Sequence, residues 1–132
     1  MDRSASKAVR VKRDMDLVRK ILLDVEAAPA EKPWSLMVSR GTSSGATLNQ
    51  HLVLLSRAGL INVRNHVQLH GPGDIWSDVT LTWPGHEFLD DIRSEEVWTK
   101  TKEQVAKLGG TASLTVVSEI AKGLTRTLLN LP

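Results

Sequence analysis

The side chains with the most chemical potential lie close together: Ser43, Ser44, Thr47, Asn49, Gln50 and Arg57, followed by Arg64, His66 and Gln68. Asn and Gln carry a donor and an acceptor side by side and can pair bidentately with adenine, while Ser and Thr hydroxyls can touch bases or phosphates. On one helix and a neighbouring strand these types point to double-stranded DNA, with Ser43, Ser44, Thr47, Asn49, Gln50 and Arg57 in the groove. Arg64, His66 and Gln68 then sit on a flanking hairpin. The helical part of the run has a single cation, Arg57, although Lys and Arg supply most non-specific affinity for phosphate. Arg40, Arg64 and the basic N-terminus would have to add charge. A packing helix in a protein-binding domain fits the same residues as well, with Trp76 and Leu54 as candidate anchors for a partner.

Other constellations carry less. His66 and His70 share a strand face, but four residues at ~3.3 Å each separate them too far for one metal ion. Glu87, Asp90, Asp91, Glu95 and Glu96 crowd a segment whose one cation is Arg93, and acids near helix starts are explained by the helix dipole. GTSSG lacks the lysine of a phosphate loop, and no nucleophile elbow is present. Trp76, Trp83 and Trp98 are ordinarily core or hairpin-packing residues, with Trp76 the one to watch as an exposed anchor. No catalytic residue, metal or cofactor is expected, and the chain is read as a non-enzyme.

The elements that must hold these residues follow from periodicity. Asp14 caps an expected helix to about Ala28, with Met15, Val18, Ile21, Leu22 and Val25 on one stripe and Pro29 and Pro33 ending it. Trp34, Leu36, Met37 and Val38 form a short strand or an irregular packed piece. After the hinge SRGTSSGAT, Ser43 or Ser44 caps a helix to about Ala58, with Leu48, Leu52 and Leu55 inward and Gly59 as its stop. Residues 61–70 alternate as a half-buried strand, Gly71-Pro72-Gly73-Asp74 turns, and Ile75, Val79 and Leu81 alternate with Trp76, Asp78 and Thr80 in a second strand. Pro84 opens a helix through Phe88, Leu89 and Ile92. Ser94 caps another, Gly109-Gly110 stops it, and Ser113 begins a last one along Leu114, Val117, Ala121, Leu124 and Leu128. Its stripe, broadened by Val116, Ile120 and Leu129, is a candidate dimer face.

Helix, extended piece, helix and hairpin is the order of a winged helix domain, whose second helix normally enters the major groove. KRDMDLVRKILLDVE, HLVLLSRAGLI, LTWPGHEFLDDIR and VWTKTKEQVAKLGG together resemble the phage and bacterial family called domain of unknown function 2513, over about residues 12–130. The resemblance implies a winged helix fold and an origin among prophage-type genes, and it implies no activity. The expected class is therefore α+β, mainly helical: a winged helix-turn-helix with a C-terminal helical hairpin. A flexible basic arm would occupy residues 1–11, the winged helix domain 12–83, and a helical extension packing on it 84–132.

Composition sets the outer limits. The 132 residues carry a net charge of +2, so the chain as a whole is no polyanion magnet, and a core with one Phe and no Tyr must rest on Leu, Val and Ile. No cysteine is present, which excludes disulfides and thiolate sites. No apolar run nears the ~20 residues of a membrane span, and the N-terminus lacks a secretory pattern. A cytoplasmic protein is expected, either a DNA-binding regulator of a phage or mobile element, or a winged helix module that inhibits or adapts a host complex.

Overall fold

The computed structural model describes residues 12–132; the basic arm expected over residues 1–11 lies outside the described residues. Among the described residues, five helices and three strands follow in the order α1 (Met15–Ala27), β1 (Trp34–Ser39), α2 (Ser43–Arg57), β2 (Ile61–Gln68), β3 (Gly73–Leu81), α3 (Trp83–Ile92), α4 (Glu95–Lys107) and α5 (Leu114–Leu128). The class is α+β and mainly helical. Two compact units divide between Thr82 and Trp83. Among the described residues no helix is long and apolar enough to cross a membrane.

The first unit is winged helix-like. Asp14 caps α1 as its sequence context demands, its carboxylate accepting from the Asp16 and Leu17 N–H groups at 3.0 and 3.2 Å. Val18, Ile21, Leu22 and Val25 bury the expected stripe. The segment left open between strand and irregular piece is a strand: β1 pairs antiparallel with β3, and the sheet order is β1-β3-β2. α1 and α2 pack on this sheet. Leu52 and Leu55 are buried on α2, Leu48 half-buried, and Gly59 ends the helix at φ +76°.

Two local expectations need correction. The cap of α2 is Thr42, not Ser43 or Ser44; its hydroxyl accepts from the Gly45 N–H at 3.0 Å, and both serines already lie in the first turn. β3 begins earlier than expected, taking Gly73 and Asp74 out of the turn, and its inward residues are Asp74, Trp76 and Val79 rather than Ile75, Val79 and Leu81. A regular strand cannot bury positions two and then three apart, because its side chains alternate. The odd step is absorbed where the β1–β3 register shifts opposite Ser35: Asp78 takes φ +52°, and its N–H donates to Ser35 Oγ at 3.0 Å.

The second unit is built of α3, α4 and α5, with α4 and α5 packed together as the expected helical hairpin. Ser94 and Ser113 cap α4 and α5, accepting from Val97 and Val116 N–H groups at 3.3 and 3.2 Å. Phe88, Leu89, Ile92, Val97, Trp98, Val117 and Ala121 are buried. Trp83, expected to pack in a core or on the hairpin, starts α3 and is 77% exposed.

Only residues 40–42 separate β1 from α2, so the strand end and the helix start nearly touch. A Cβ on Gly45 would overlap the Ser39 carbonyl oxygen and crowd Thr42 Oγ1. Helix propensity alone makes Gly→Ala stabilising by about 1 kcal/mol. The overlap reverses the sign: Gly45→Ala should destabilise by about 2 kcal/mol in urea unfolding, on the scale of other overpacking substitutions. A gain in stability would show that the approach is not tight.

Candidate nucleic-acid interface

α2 is positioned from below by His51, which is fully buried. Its Nδ1–H donates to the Thr47 carbonyl at 2.8 Å, and Nε2 accepts the Asp14 backbone N–H, also at 2.8 Å. One neutral tautomer thus ties the start of α1 to the first half of α2. Position 51 falls on the Leu48, Leu52, Leu55 stripe, and that spacing was the signal for its burial. Around this joint Asp14, Leu17, Ser43, Ser44, Thr47 and Leu48 line an open cleft.

The hairpin is fixed by a carboxylate. Asp74 has no exposed surface; its Oδ1 meets Arg40 Nε as an ion pair, and neither of those two atoms has another hydrogen-bond partner. Its Oδ2 meets His66 Nε2 at 2.6 Å. Arg40 also closes the β2–β3 turn, its Nη2 donating to the Gly71 carbonyl at 3.0 Å and its backbone N–H to that of Pro72 at 2.6 Å. His66 lies flat on the Trp76 ring, centroids 3.7 Å apart and planes 12° from parallel. The indole N–H of Trp76 then donates to Asn49 Oδ1 at 2.9 Å. A continuous chain of polar and ring contacts therefore runs Gly71–Arg40–Asp74–His66–Trp76–Asn49, from the tip of the hairpin to the middle of α2.

This network redistributes the residues expected to meet DNA. Ser43, Ser44 and Arg57 are exposed on α2, and Arg64 and Gln68 are exposed on β2. Thr47 and Gln50 are half-buried, and Thr47 lends its carbonyl to His51. Asn49 and His66 are held inside the network, with the His66 side chain 29% exposed. Arg40, expected to supply free positive charge, is engaged by Asp74 and Gly71. Trp76 is 2% exposed and cannot serve as the exposed anchor for a partner, because the displaced alternation of β3 turns it inward. Leu54 is half-buried. The roles of Asp74 and Arg40 were hidden: a Gly-Pro-Gly-Asp run reads as a solvated turn, and nothing local marks its aspartate as buried. Among the described residues, no three His, Asp or Glu side chains converge as a metal site.

Charge is sorted as well. No Asp or Glu occurs between Glu31 and Asp74, so α2 and β2 carry no acid, and the carboxylate that ends this stretch is covered by Arg40 and His66. The family described as hypothetical protein (DUF2513) matches residues 12–112. The chain belongs to this family. The DUF2513 segment takes in α1 to α4 and ends before α5. A relative in Haemophilus influenzae, itself described as an uncharacterized protein, is 34% identical over 113 residues, 85% of this chain and 93% of its own length. No solved structure matches the chain.

Removing one partner from a buried ion pair strands the other charge and costs about 3–5 kcal/mol. Arg40→Met, which leaves the fully buried Asp74 carboxylate with only His66 beside it, should therefore lower unfolding stability by that amount, and the double variant Asp74→Leu, Arg40→Met should recover part of it. Equal stability of wild type and Arg40→Met in urea would show that the buried carboxylate does not depend on its arginine.

Proposed function

We propose that this DUF2513 protein binds double-stranded DNA through α2 and the β2–β3 hairpin, as a non-enzymatic regulator of a phage or mobile element acting in the cytoplasm. The observation that supports this reading is the acid-free surface of α2 and β2. Exposed Ser43, Ser44, Arg57, Arg64 and Gln68 are phosphate- and base-competent, and the carboxylate that follows β2 in the chain, Asp74, is buried against Arg40 and His66. Neither element presents a polyanion with a repelling side chain of its own, and the exposed acid beside the start of α2 is Asp14. The joint from His51 to α1 and the joint from Asn49 to Trp76 hold helix and wing in one geometry, which lowers the ordering cost of binding.

A second reading, a protein-binding module, is supported by a different face. Met37, Ile75 and Val67 pair across the three strands, and Met37 and Val67 are largely exposed, with Leu69 nearby. This apolar row would seat a partner protein while α2 kept a structural role. The exposed Val116 and Leu128 of the last helix, with Leu129 just past its end, support a homodimer through α5.

Fluorescence anisotropy with labelled random and promoter duplexes separates the two readings. Binding should be present at low salt and fall steeply as salt rises. Arg57→Ala with Arg64→Ala should make log K against log salt shallower by about two, one phosphate contact for each arginine. No binding of any duplex at low salt would end the DNA reading and leave the protein-binding one.

A further inference from the structure

The contact between Trp76 and Asn49 constrains more than the fold. An indole N–H is a donor only, so the atom it meets must be the amide oxygen of Asn49, and the orientation of that amide is chemically determined. Trp76 cannot swing away, being 2% exposed and stacked under His66, which Asp74 holds in turn. Asn49 Nδ2 has no hydrogen-bond partner among the described residues, and it is not a buried unpaired atom. The amide thus turns its acceptor inward to the indole and leaves its NH2 group at the surface of α2.

We propose that Trp76 makes Asn49 a donor-only reader, so that the base pair facing this side chain carries guanine; this rests on the DNA-binding reading above. Bidentate pairing of Asn with adenine needs both amide atoms, the oxygen accepting from N6 and the nitrogen donating to N7. Here the oxygen is turned inward to the indole, and turning it outward to a base would leave a buried indole N–H without an acceptor. Guanine presents two adjacent acceptors, N7 and O6, in the major groove, and these match an NH2 group alone. Trp76 is then a positioning residue for base choice and touches no DNA itself.

Selection of the full-length chain on a randomised double-stranded library tests this with two variants. Asn49→Asp keeps an acceptor for the indole, and so keeps the fold, while replacing the outward donor with an acceptor. It should change guanine at one position of the selected site to cytosine, whose N4 amine is a donor, and weaken binding to the wild-type site by about tenfold. Trp76→Phe, checked for folding by circular dichroism, should free the amide and admit adenine at that same position. A wild-type site with adenine at the position altered by Asn49→Asp would overturn the proposal while leaving DNA binding intact. So would selected sites that are identical for wild type and Asn49→Asp. Failure of the wild-type chain to retain any duplex at low salt would remove the DNA-binding reading itself, and the proposal with it.

Discussion

A buried carboxylate cannot remain unpaired, and the first unit is arranged around meeting that demand at Asp74. Desolvation of a lone charge costs several kcal/mol, so Asp74 is stable in place only with Arg40 and His66 on its two oxygens. Each of those partners is committed to a second task. Arg40 closes the hairpin turn through Gly71 and Pro72, joining it to the end of β1. His66 covers Trp76, and Trp76 reaches α2 through Asn49. The displaced alternation of β3 is what turns Asp74 and Trp76 inward, so the irregularity at Asp78 and the polar network belong to one design.

His51 plays the corresponding part at the other side of α2. It uses both ring nitrogens on backbone groups, one from α1 and one from α2, leaving no buried polar atom of the joint unsatisfied. The helix is therefore held near its middle from two sides, by α1 at His51 and by the hairpin at Asn49. For the duplex binding proposed above, this matters more than any single outward side chain. Two elements can read one ligand together only if their separation does not fluctuate.

Much of the scaffold was legible from local chemistry. Asp14, Ser94 and Ser113 act as helix caps, Gly59 and Gly109-Gly110 as stops, and Val18, Ile21, Leu22 and Val25 as a core stripe, because each of these depends on neighbours within a few residues. The elements that failed depend on distant partners. The inward turn of Trp76 requires Asn49, His66 and a register shift against β1, and the burial of Asp74 requires Arg40 from beyond another helix. The candidate site suffered the same limit. Ser43, Ser44, Arg57, Arg64 and Gln68 are surface residues, whereas Asn49 and His66 have structural obligations that residue type alone does not reveal.

Native-state hydrogen exchange of the Trp76 indole N–H tests most directly whether hairpin and helix form one unit. If the network holds as described, this proton exchanges only through global opening, with the same free energy as the amides of Leu52 and Leu55 in α2. Exchange of the indole through a low-energy local opening, while the α2 amides stay protected, would contradict the account, because the hairpin would then move independently of the helix it is said to hold.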